Sequence, residues 1–135
     1  HESSGLVRPD YTGGHQRHGA GFFYNIYQQA VAMIGAIRIH AFGGPEVMQW
    51  RELPDPTPGT GEVVVDLAAA GLNCIDTYQR SGLYRIPLPA RVGLEGAGVI
   101  TAVGDGVEAL AVGQRVAWAM GQGSYATAAC IASTM

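Results

Sequence analysis

At 135 residues and a formal net charge of −3, the chain has the size of one domain and no surplus of positive charge. It contains no lysine, and its arginines form no basic stripe of the kind a nucleic-acid binder needs. No apolar run reaches the roughly 18 residues that span a membrane, and no secretory-signal pattern is read.

Glycine occurs 20 times, about twice the usual share, among valine, isoleucine and alanine runs. That composition favours a turn-rich β architecture. The two cysteines, Cys74 and Cys130, are too few for a disulfide framework and read as free buried thiols, which suits a reducing cytoplasm.

Residues 1–32 differ in character from the remainder of the chain. Ser3-Ser4-Gly5-Leu6-Val7 and Thr12-Gly13-Gly14-His15-Gln16 look like pieces of an expression leader, and the segment is read as a leader or a disordered extension. Three of the four histidines lie there and carry little weight as metal ligands. Phe22 to Ala32 is apolar enough for a short helix.

From Met33 onward the pattern is that of a folded domain. Ala36 to His40 alternates apolar and polar residues, as a half-exposed strand does. Gly43-Gly44-Pro45 reads as a turn, and Val47 to Leu53 as a second strand in a hairpin with the first. Prolines and glycines from Pro54 to Gly61 predict a surface loop. The valine-rich run from Glu62 to Ala70 predicts a central, largely buried strand.

Asp76 to Arg80 reads as a two-turn helix stopped by Ser81-Gly82. Pro87 and Pro89 hold the next loop extended. The stretch Val92 to Gly106 is the centre of the pattern. Val99 to Val103 is β-prone, and Gly93, Gly96 and Gly98 before it suggest close backbone approach. Glu95 reads there as a buried carboxylate in need of a partner. Val112 to Val116 turns into a strand that runs to Ala119, Gly121-Gln122-Gly123 is a turn, and Tyr125 to Ile131 is a last strand. The sum is mainly β: five to seven strands and one short helix, in an irregular barrel or sandwich.

Gly104-Asp105-Gly106 with Val107-Glu108-Ala109 fits the glycine spacing of a dinucleotide-binding loop. Such a loop must open a long helix whose amino terminus faces the pyrophosphate. The few residues before Gly113 leave no room for one, so the stretch is read as a tight turn.

The richest polar stretch runs from Gly71 to Tyr84, where a strand ends and a helix begins. Asn73 can donate and accept hydrogen bonds at once. Asp76 stands in the first helical turn, where the macrodipole favours a carboxylate. Tyr78 and Tyr84 offer flat apolar faces and hydroxyl donors, and read equally well as core filler.

Four motifs stand in order: H-A-F-G-G-P-E-V-M, G-L-N-C-I-D-T-Y-Q-R-S-G-L-Y, G-L-E-G-A-G-V-I-T-A-V-G-D-G-V and V-G-Q-R-V-A-W. Together they resemble the amino-terminal half of zeta-crystallin-type NADPH:quinone oxidoreductases, in the medium-chain dehydrogenase/reductase superfamily. The resemblance covers Met33 to Met135.

The resemblance implies a GroES-like irregular β-barrel with one or two short helices. It also implies a substrate-side domain that is incomplete over 33–135, with the Rossmann half absent. The implied substrate is a quinone or enone, and the implied cofactor NADPH, bound mainly by the absent half. Tyr78 and Tyr84 would line the substrate side, Asn73 would sit near nicotinamide and substrate, and Asp76 would fix the backbone. Glu95 would be structural, paired with an arginine, and Gln114 would replace the usual aspartate of a G-D-R-V turn.

Zinc-dependent relatives carry cysteine where this chain has Asn73 and histidine where it has Leu94, so no metal is expected. The isolated fragment is expected to be inactive. A cytoplasmic location is expected, without nucleic-acid or membrane partners, and a homodimer is left open. Two alternatives remain: an enoyl reductase of the same superfamily, and a non-catalytic GroES-like binding module.

Overall fold

The computed structural model describes residues 32–134. The expected leader and the short helix read at Phe22 to Ala32 fall outside the described residues, Ala32 excepted.

The predicted hairpin forms. Strand β1 (Met33–Ile39) pairs antiparallel with β2 (Gln49–Pro54), from Met33 opposite Pro54 to Arg38 opposite Gln49. The second strand starts later than expected because Pro45–Val47 is a turn of 3-10 helix. Pro45 presets the helical φ, and the Glu46 carboxylate accepts the Gly44 N–H at 2.9 Å. Pro54 ends β2 rather than opening the loop, which an edge strand tolerates.

The valine run forms β3 (Glu62–Gly71), followed by helix α1 (Cys74–Ser81). A two-residue strand, β4 (Ala90–Arg91), was not foreseen, and it pairs with the end of β1. The glycine-rich centre becomes β5 (Glu95–Val103), and β6 (Arg115–Trp118) and β7 (Ala128–Ala132) complete the set. The strands make two antiparallel sheets, ordered β2-β1-β4 and β6-β5-β3-β7.

Strand β3 holds the larger sheet together by pairing with β5 on one side and β7 on the other. Its alternation sends side chains to two cores. Val63 and Val65 pack with Ile100, Trp118, Ala129 and Ile131. Val64 faces the other way, against Ile34 and Ala128. The strand is therefore buried on both faces at its start. Its far end differs from expectation, since Ala68 to Ala70 are exposed.

The expected last strand begins late. Tyr125 to Thr127 join β1: Ile37 N–H donates to the Tyr125 carbonyl and Thr127 N–H to the Gly35 carbonyl, both at 2.8 Å, while the Thr127 carbonyl still accepts the Leu67 N–H of β3 at 2.9 Å. An Ala36–Ala126 bridge completes this link between the sheets. The crowding read into the glycines is real. A Cβ on Gly98 would lie 2.0 Å from the Asp66 carbonyl oxygen on the paired strand. The Gly104 to Gly106 stretch is a turn with no helix after it.

Candidate functional site

Helix α1 is built from its ends. Asn73 precedes it with extended dihedrals, φ −126° and ψ 150°. The Asp76 carboxylate Oδ2 accepts the Asn73 N–H at 2.9 Å, which satisfies a donor left over at the helix start. Gly82, at φ 84°, closes the helix in the left-handed region that glycine enters without strain.

The helix turns polar residues inward. Asp76 and Gln79, three apart on one face, are buried, whereas Tyr78 is exposed. Buried polar groups require partners, and the segment before β7 supplies them for Asp76 Oδ2 and Gln79, while Asp76 Oδ1 is buried without a hydrogen bond among the described residues. Tyr125 Oη–H donates to Asp76 Oδ2 at 2.7 Å. Gln122 Nε2 donates to Gln79 Oε1 at 3.2 Å and to the Arg91 carbonyl at 2.6 Å. Burial pushes the Tyr125 phenol up to about 12, helped by its bond to Asp76 and by that carboxylate's charge.

Beyond the helix start, Asn73 Nδ2 donates to Glu95 Oε2 at 3.0 Å. A carboxylate only accepts, so the NH2 end of the carboxamide has to face it. Glu95 stands opposite Gly71 across the β3–β5 ladder. A Cβ on Gly71 would lie 2.4 Å from Glu95 Cδ, so the glutamate side chain lies over that bare backbone. Two expectations for Glu95 are thereby corrected. It is exposed rather than buried, and its partner is a carboxamide rather than an arginine. The first position of β5 points its side chain off the sheet, away from the core.

Glu95 is the charged group in an open cleft of about 490 Å³. Ala69 and Ala70 of β3, Ala97 of β5, and Ala117 and Trp118 of β6 line it. The small side chains leave a shallow apolar floor with one carboxylate at its edge.

Tyr78 and Tyr84 lie together in an edge-to-face contact, with ring centroids 5.5 Å apart and planes at 72°. The Tyr84 N–H donates to the Tyr78 carbonyl at 3.0 Å, which draws the chain after the helix back along it. Both rings are open to solvent, Tyr78 at 39% and Tyr84 at 54% exposure, so neither is core filler. They do not line the cleft beside Glu95. The predicted residues thus come together as two pairs, Asn73 with Glu95 and Tyr78 with Tyr84. The sequence reading missed Tyr125, Gln122 and Gln79. The spacing of Asp76 and Gln79 did signal a polar inner face, but their partners stand more than 40 positions away.

The cysteines are free but not both buried. Cys74 is exposed at the helix start, and Cys130 is half-buried. The Cys130 thiol lies 3.3 Å from Glu62 Oε2. Burial, with the hydrogen bond and charge of Glu62, pushes it up to about 11. The Glu62 carboxyl is held below its usual value by the Gly59 N–H and then by that thiol. Among the described residues no three His, Cys, Asp or Glu side chains gather closely enough to hold a metal ion.

The sequence from 59 to 134 matches the alcohol dehydrogenase GroES-like domain. The chain belongs to that family. As a GroES-like domain it is similar to known quinone oxidoreductases. It is 50% identical over 95 residues to the quinone oxidoreductase of Pseudomonas aeruginosa, covering 69% of this chain and 29% of that protein. It superposes on the Escherichia coli quinone oxidoreductase complexed with NADPH with a TM-score of 0.72 and 42% identity, over 73% of this chain and 31% of that one. The enzyme of Pseudomonas syringae matches with the same TM-score and 46% identity, over 74% and 31%. This GroES-like domain therefore spans less than a third of the length of these relatives.

Proposed function

We propose that this chain is the substrate-side domain, over 33–135, of a zinc-independent quinone reductase that uses NADPH. The observation that carries the reading is the exposed Tyr78–Tyr84 pair beside a helix whose start presents Asn73. Two phenol donors open to solvent suit a flat, oxygen-bearing substrate, and the cleft beside Glu95 adds a shallow apolar surface. The 50% identity to a quinone oxidoreductase supports a quinone within that class.

NADPH supplies a hydride to the substrate when it is bound. The described residues offer no glycine turn opening a helix for its pyrophosphate, since Gly104 to Gly106 form only a turn. What they fit is the nicotinamide end, through the Asn73 carboxamide. Tyr78 and Tyr84 hydrogen-bond the quinone oxygens, where negative charge grows as reduction proceeds. The apolar floor of Ala69, Ala97 and Ala117 keeps water from a ring seated on it.

Zinc does not fit this donor set. It takes three or four ligands at fixed geometry. Here Cys74 is on the surface, Cys130 is engaged with Glu62, and the position before Glu95 is the buried Leu94.

The test is a segment exchange. Residues 33–134 replace the matching stretch of the Pseudomonas aeruginosa relative, and quinone-dependent NADPH oxidation is measured with Tyr78→Phe and Tyr84→Phe alongside. The exchanged protein is expected to turn over, and each phenylalanine variant to lose on the order of 10²-fold in kcat, as loss of one such donor does. Unchanged kcat in both variants contradicts the roles given to the phenols. The 135-residue chain alone is expected to show no such oxidation above background.

A further inference from the structure

We infer that Tyr125 and Asp76 are positioning residues that hold the Asn73 carboxamide against Glu95 at the mouth of the apolar cleft. The contacts run without a break. Tyr125 Oη donates to Asp76 Oδ2 at 2.7 Å, and the same oxygen accepts the Asn73 N–H at 2.9 Å. Asn73 Nδ2 then donates to Glu95 Oε2 at 3.0 Å. One carboxylate oxygen therefore ties the segment before β7 to the start of α1, and the start of α1 to the edge of the cleft.

Two features make this more than a helix cap. Asp76 is 6% exposed, and a carboxylate that deep needs strong donors to keep its place. A backbone N–H alone would cap the helix; the phenol adds a second donor from outside it. Gly71 is the other feature. Glu95 reaches Asn73 by crossing β3 where β3 has no side chain, since a Cβ there would stand 2.4 to 2.8 Å from the Glu95 carboxyl end. The strand, the helix and the segment before β7 thus converge on one carboxamide. With its NH2 end turned to Glu95, the Asn73 side chain turns its carbonyl oxygen back to the start of α1, where it and the Asp76 carboxylate form a capping box.

The inference rests on reading Asn73 as a site residue, but its test needs no catalysis. The probe is the Asn73 side-chain NH2 pair, followed by 15N–1H NMR in the 135-residue chain. In the unaltered protein the pair is expected to be resolved and displaced from the position of a free carboxamide by its bond to Glu95. Glu95→Ala and Gly71→Ala should each return it toward that free position, and Gly71→Ala does so without touching Tyr125 or Asp76. Tyr125→Phe should reduce the displacement while the fold persists. An Asn73 pair that stands in Tyr125→Phe where it stands in the unaltered protein overturns the inference and leaves Tyr125 a packing residue.

If Tyr125→Phe does not fold, incorporation of 3-fluorotyrosine strengthens the same donor within the intact fold. The Asn73 pair must then move, and a stationary pair overturns the inference. Because the readout is spectroscopic, it stands or falls independently of whether the segment exchange reduces a quinone.

Discussion

Tyr125 donates its hydroxyl proton to Asp76 at 2.7 Å across 49 positions of sequence. This bond fixes the only helix of more than one turn among the described residues to the segment that links the two sheets. How such contacts are arranged governs other properties of the domain.

Stability should fall at high pH. The phenol of Tyr125 titrates at about 12 when folded, against 10 ordinarily, because burial and Asp76 disfavour the phenolate. Below pH 10 both states keep the proton and the contribution is whole. Between about 10 and 12 the unfolded chain releases a proton that the folded chain retains, so stability declines as pH rises through that window. Asp76→Asn removes the charge and should shrink the decline. Urea unfolding at pH 9, 10 and 11 measures both.

The two cysteines should differ in reactivity. Cys74 is on the surface, whereas the Cys130 thiol is pushed up to about 11 by burial and by Glu62. The reactive species is the thiolate, so at pH 8 iodoacetamide should label Cys74 and spare Cys130. Mass spectrometry of the peptides decides it, and equal labelling would contradict the Glu62–Cys130 contact. Glu62→Gln should speed labelling of Cys130.

Two glycines separate close approach from backbone conformation. Gly98 faces the Asp66 carbonyl so closely that an added methyl group must displace backbone. Gly98→Ala should cost about 3 kcal/mol or more, at the upper end of overpacking. Gly113 has φ +88° and open space around its would-be Cβ. Gly113→Ala should cost only the left-handed strain, about 1 to 2 kcal/mol. Denaturant midpoints at constant m-value give the comparison.

Much of the framework was legible in local pattern. The valine-rich run announced a central, largely buried strand, and at Val63 to Val65 the packing against Ile100 and against Ile34 bears this out. Gly82 ended the helix where its dihedral freedom was needed. What escaped was set by tertiary contact. Strand β4 is two residues long and exists only through its pairing with β1. The apolar run continuing to Ala70 looked buried, because alanine reads the same on a covered face and on the exposed floor of a cleft. Tyr78, Tyr84 and Asn73 could be singled out from their stretch. That Asn73 would meet Glu95 depended on the β3–β5 register, and that Asp76 would meet Tyr125 depended on the link between sheets.

The most direct measurement is the rate of NADPH oxidation by the segment-exchanged protein with a quinone as acceptor, before and after exhaustive metal chelation. A zinc-independent quinone-reductase domain gives quinone turnover that chelation leaves unchanged. Loss of turnover on chelation, or preference for an enoyl thioester over every quinone tried, would contradict it.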